Sequence, residues 1–228
     1  CIEDQSSRLD RLSLELYAQQ FEQPGYVLLV VYGEHSEWRQ LLAQAYYDMT
    51  VTRGFKTQAH EIQPFSERPA SKPDQIVLGD RDSKNIEERR QANETKLLAR
   101  QVDQPGDALN VPGEKSIGIA FSIEGPYSWL LFQSEHGLHV WRSERTDLEC
   151  LLHISQARMP DYQPPFRIDR RKGIGSQPIR RIWNRSREVV DDRKSGRRVF
   201  WDSDSPGETL DELISRVLSD RVEEWIRS

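Results

Sequence analysis

Three patterns in this chain use residue types that do chemistry. The first is Arg171-Lys172-Gly173-Ile174-Gly175-Ser176-Gln177-Pro178, where a hydroxyl and a carboxamide follow two cations and two glycines. Gly173 and Gly175 allow a backbone to turn, or to approach a ligand, where a Cβ would clash. The stretch is not a phosphate loop, because no Lys-Ser/Thr follows a second glycine. Nor is Ser176 set in a Gly-x-Ser-x-Gly elbow, and residues 166–228 contain no histidine to serve as its base. Taken alone, it also fits an ordinary glycine-rich turn between strands. The second pattern is cationic. Arg167, Arg170, Arg171, Lys172, Arg180, Arg181, Arg185, Arg187, Arg193, Lys194, Arg197 and Arg198 lie between Phe166 and Phe200, opposed by Asp169, Glu188, Asp191 and Asp192. The formal net charge of -5 argues against a nucleic-acid partner, but local potential governs phosphate binding. The plainer alternative is a solvated arginine-rich surface. The third pattern is His136, His139, Cys150 and His153, nitrogen and sulfur donors of the kind that hold zinc. Residues three apart on a strand face opposite sides, so no metal and no other cofactor is expected. Asp191-Asp192 and Asp202/Asp204 read as turn residues rather than a catalytic carboxylate pair.

The elements that must carry these patterns point to an α+β fold. Leu9, Leu12, Leu16 and Tyr17 recur at helical spacing, which predicts a short helix over 8–21. Tyr26 to Tyr32 is a continuous apolar run and predicts a buried strand. Glu37 to Arg53 carries Trp38, Leu41, Leu42, Ala45, Tyr46 and Met49 as a helical stripe, with Ser36 as N-cap and Gly54 as stop. Phe55 to Ile62 and Ile117 to Ile123 alternate as strands. Ser128–Gln133, Leu138–Arg142 and Leu151–Gln156 also read as strand material. The region 64–112 is rich in Pro, Asp, Lys, Arg and Gln, and reads as a mobile insertion with a polar helix over Asn85–Gln101. Pro160 to Pro165 reads as a linker. Beyond it, Phe166–Asp169, Ile182–Val190 and Arg198–Trp201 alternate as strands. A final helix then runs from Ser205 to about Arg227, with Leu210, Leu213 or Ile214, Val217, Leu218 and Trp225 inward. The expected organisation is an N-terminal helical segment over 1–24, a first unit over 25–160 and a second over 166–228.

The chain has 228 residues, 30% of them charged, enough for one large or two modest cores. No apolar run approaches the ~20 residues a membrane helix needs. Cys1 and Cys150 are the only cysteines, which excludes a disulfide scaffold and predicts a reducing, cytoplasmic setting. Opening on Cys1 suggests a piece of a longer chain, with a lipidated mature terminus as the alternative.

Several segments, taken in order, resemble the bacterial class I peptide chain release factors. Gly125-Pro126-Tyr127-Ser128-Trp129-Leu130 resembles the family's Gly-x-Tyr-Ala-Tyr-x-x-Leu block, and Glu135-His136-Gly137-Leu138-His139 its Glu-Ser-Gly-Val-His turn. Glu37-Trp38, Tyr47 and Arg53-Gly54-Phe55-Lys56 resemble a helix with an acidic-Trp start and an Arg-Gly-Phe-Lys end. His153-Ile154-Ser155 is similar to the family's His-Thr-Ser. Gly175-Ser176-Gln177 is similar to its Gly-Gly-Gln loop, and Ile179-Arg180-Arg181 to its Val-Asn-Arg.

The resemblance implies ribosome and tRNA partners, no membrane, and a role in translation termination or ribosome rescue. It implies that Arg170, Arg171, Lys172, Arg180, Arg181 and Arg185 meet RNA phosphates. It places Glu144, Arg145 and Thr146 in the codon-reading loop, with His153 near the third base. The proline of that loop is missing and an acidic residue has entered it. In the family, the Gln backbone N–H stabilises the oxyanion of peptidyl-tRNA hydrolysis. Here Gly175, Ser176 and Gln177 would do so through a degenerate loop. Ser176 adds a Cβ where only glycine is free, at a cost of about 1–3 kcal/mol. Pro178 removes one donor and biases Gln177 toward extended geometry. Hydrolysis is therefore expected to be weak or lost. The alternative is a non-catalytic protein-interaction module recruited from the same fold, part of a larger regulatory or stress-response protein.

Overall fold

The computed structural model describes residues 25–33, 36–64, 75–78, 97–103, 116–144, 148–162, 178–184 and 186–227. The expected helix over 8–21 and the expected strand Phe166–Asp169 lie outside them. Strands β1 (Tyr26–Tyr32), β2 (Lys56–Pro64), β3 (Gln75–Leu78), β4 (Leu97–Val102), β5 (Gly118–Glu124), β6 (Gly137–Ser143), β7 (Glu149–Ser155), β8 (Ile179–Asn184), β9 (Val189–Asp192) and β10 (Arg197–Phe200) form one sheet. Its ten strands run in the order β10-β9-β8-β6-β7-β1-β5-β2-β4-β3. The helices are α1 (Ser36–Thr52), α2 (Ser128–Phe132) and α3 (Pro206–Arg227), with 3₁₀ turns at Gln133–Glu135 and Met159–Asp161. The class is α+β.

The apolar run of β1 has a simple cause. It lies between β5 and β7 and is covered on both faces. Val27, Leu29 and Val31 face the helices, while Leu28, Val30 and Tyr32 face Met159 and Tyr162. Each such fully buried aliphatic side chain is worth about 1.5–3 kcal/mol. The stripe predicted for α1 packs on the same helix-side core through Trp38, Leu42, Ala45, Tyr46 and Met49. Gly54, at φ 77, ends that helix in a conformation that side chains with a Cβ resist.

Four expectations need amending. The segment 64–112 contains β3 and β4, and β4 pairs with β2 along Ala59↔Val102 to Pro64↔Leu97. Leu97–Gln101 is therefore strand rather than the end of a polar helix; pairing with β2 on one side and β3 on the other outweighs its mixed composition. Ser128–Phe132 is helix rather than strand, because Leu130, Leu131 and Phe132 all enter the helix-side core, which two-residue alternation cannot do. Ile182–Val190 is two strands, broken by a turn over 186–188 in which Glu188 takes a positive φ of 51.

Most neighbouring strands are antiparallel, but β8 runs parallel to β6, from Val140↔Ile179 to Ser143↔Trp183, with a bulge between Val140 and Trp141. That pairing brings the chain beyond residue 177 into the sheet begun before residue 160. A file of aromatic rings crosses the same junction. Trp38 stacks on Trp183 at 4.8 Å, Trp183 meets Trp201 at 6.0 Å, and Trp201 meets Trp141 at 6.0 Å. Helix α3 starts with Pro206 in its first turn and buries Leu210, Leu213, Ile214, Leu218 and Val222. It lies close to α1: a Cβ at Gly207 would fall 2.8 Å from Asp48 Cβ and 3.0 Å from Met49 N.

Candidate functional site

Gly175, Ser176, Gln177, Arg170, Arg171, Lys172, Arg145, Thr146 and Arg185 lie outside the described residues. What the structure describes is how the chain is fastened on either side of 163–177. At the far end, Pro178 is exposed and its carbonyl accepts the Val140 N–H at 3.0 Å, so Gln177 directly precedes the first residue held by the sheet. At the near end, Tyr162 is buried. Its hydroxyl lies 2.9 Å from that of Tyr32 and 3.1 Å from His153 Nδ1.

Just inside Pro178 sits a buried ionic cluster. Arg181 is 0% exposed, and Arg180 and Glu135 are buried beside it. Arg181 grips Glu135 with both terminal nitrogens, Nη1 to Oε2 at 2.5 Å and Nη2 to Oε1 at 2.8 Å. Arg180 Nη2 donates to the same Oε1 at 2.9 Å, and its Nε donates to Asp192 Oδ2 at 3.1 Å. Arg181 Nη2 also lies 3.1 Å from Asp192 Oδ2. Its guanidinium carbon sits 5.0 Å above the Trp141 ring, and Nη1 donates to Tyr46 Oη at 3.3 Å. Two guanidiniums thus face two carboxylates, and the cluster is neutral. Burial alone would raise the Glu135 carboxyl, but Arg181, with Arg180 behind it, outweighs burial and holds it at about 2. Burial pushes the His139 imidazole down to about 3, because Arg181 and Arg180 offset the attraction of Glu135. His139 Nε2 is 3.8 Å from Glu135 Oε2, too far for a hydrogen bond.

This arrangement revises one expectation and extends another. Arg180 and Arg181 do not present their charges to solvent; both are spent on Glu135 and Asp192. An RNA phosphate cannot reach Arg181 without opening the core. Strict alternation would send two adjacent cations to opposite faces. The register shift that skips Arg180 in the β6–β8 pairing lets both reach the same carboxylates, and the sequence carries no signal of it. Asp192 was expected to be a turn residue, and it is: its Oδ1 accepts the N–H groups of Lys194 and Ser195 at 2.9 and 3.1 Å. It is a cluster partner as well.

Glu144 lies at the opposite end of β6. Its N–H donates to the Trp183 carbonyl at 2.9 Å, and its carboxylate accepts from Asn184 Nδ2. Glu144 thus fastens β6 to β8. His153 is half-buried, its ring 5.6 Å from that of Tyr162. Burial, reinforced by His136, pushes it down to about 4, so it is neutral at pH 7. Cys150 points into the helix-side core while His153 packs on the other face. Burial pushes the Cys150 thiol up, which leaves it unreactive. Among the described residues, no three His, Cys, Asp or Glu side chains converge on a common point.

No family model matches the sequence, and no curated protein matches it. Among solved structures, the chain is similar to RF2 of Thermus thermophilus, at 12% identity and a TM-score of 0.35. The alignment covers 99% of this chain and 56% of that one, so the chain spans little more than half the length of its structural neighbour.

Proposed function

We propose that this protein is a release-factor-like binder of the ribosome and tRNA, acting in termination or rescue with little or no peptidyl-tRNA hydrolysis of its own. One observation carries the reading. Two of the sequence blocks on which the resemblance rests, the Glu135 turn and Ile179-Arg180-Arg181, meet in the fold. Glu135 of the Glu-His-Gly-Leu-His turn holds Arg180 and Arg181, which follow Gln177-Pro178 after one residue, Ile179. The residues that follow the turn in β6 then pair with β8, from Val140↔Ile179 to Ser143↔Trp183.

A length argument supports the loss of hydrolysis. Segment 163–177 has both ends held, so at ~3.5 Å per residue its tip reaches at most about 25 Å outward. Pro178 is held at Val140, and the rest of β6 separates that anchor from Glu144 by about 13 Å more at ~3.3 Å per residue. A tRNA places its anticodon and its acceptor end farther apart than that sum. A single chain of this shape would not serve the codon and the peptidyl ester together.

The test is ribosome co-sedimentation at low and high salt, followed by formyl-methionine release from loaded ribosomes. Binding is expected at low salt and should fall steeply as salt rises, because each neutralised phosphate releases counterions. Release is expected to be absent or weak, and a Ser176→Gly variant should raise it only if the loop still docks. Full release by the unaltered protein would refute the loss of hydrolysis. No sedimentation at low salt would refute ribosome binding.

The second reading, a non-catalytic protein-interaction module, is favoured by the internal use of Glu144, Arg180 and Arg181, three residues that the family resemblance assigns to RNA. Ribosome binding without release by parent or Ser176→Gly would favour it.

A further inference from the structure

We draw no further inference here: the strongest candidate, the buried Arg39 guanidinium in the first turn of α1, whose Nε has no hydrogen-bond partner, carries nothing, because its Nη1 is held by the Gly33 carbonyl and the buried Glu61 carboxylate, itself with an unpartnered Oε1, supplies the neighbouring opposite charge, so that no ligand is called for.

Discussion

Replacing Glu135 by Gln keeps the shape of the side chain and removes one charge from a cluster that excludes water. The parent balances Arg180 and Arg181 against Glu135 and Asp192; the variant leaves one buried positive charge uncompensated. Two routes give the magnitude. Breaking one partner of a buried ion pair typically costs about 3–5 kcal/mol. Independently, burial raises the Glu135 carboxyl, yet Arg181 and its neighbours bring it from 4.5 down to about 2. At about 1.4 kcal/mol per pKa unit, that displacement is worth roughly 3 kcal/mol. The pairing also raises Arg181, which is the same interaction and is not added again. A loss of about 3 kcal/mol in a chain of this size lowers the melting temperature by roughly 6–12 °C. Urea unfolding followed by tryptophan fluorescence reads it directly, because Trp141 lies against Arg181. The sign with pH is definite. The folded carboxyl titrates below the unfolded one, so its stabilisation is whole above about pH 4.5 and fades as pH falls toward 2. The variant should lose that acid-side slope. Removing the stranded charge too, in Glu135→Gln with Arg181→Met, should recover at least half of the loss. A Glu135→Gln protein within 1 kcal/mol of the parent would refute the account of the cluster, as would a double variant weaker than the single one.

Three further outcomes follow from the same geometry. His139 titrates near 3 when folded, because of burial first, against 6.5 unfolded; the unfolded chain binds the extra proton between those values. Stability should therefore drop as pH falls below 6.5, and a His139→Gln variant should show a shallower drop in urea titrations at pH 7 and pH 5. Tyr162→Phe removes the hydroxyl shared by Tyr32 and His153 and should cost about 1–2 kcal/mol with unchanged cooperativity. Gly207→Ala places a Cβ against Asp48 and the Met49 backbone, and should cost about 1–3 kcal/mol by forcing α3 off α1; a melting temperature equal to the parent's would show that the helices can shift freely.

Residue periodicity alone determined much of this protein. The unbroken apolar run of β1 requires cover on both faces, and the stripe of α1 requires a core on one side; both requirements are local and legible. Gly54 as a stop was legible for the same reason, and so was most of the buried face of α3, although Val217 and Trp225 are only half-buried and Val222 is buried instead. Ser128–Phe132 was not, because a one-turn helix has too few residues for its period to differ from a strand's. Leu97–Val102 was not, because its strand state depends on β2 as a partner rather than on its own composition. The site divides in the same way. The sequence placed a glycine-containing basic stretch between two apolar segments and marked the Glu135 turn as distinctive. Only the tertiary structure joined that turn to β8, the strand that follows the stretch, through a parallel pairing whose partners are distant in the chain and carry no mutual signature. It also decided which arginines are free. Arg180 and Arg181 have the composition of an RNA contact, but a charge's role depends on where its counter-charge lies. Glu135 and Asp192 reach those two inside the core, whereas Arg193, one residue from Asp192, is left to solvent.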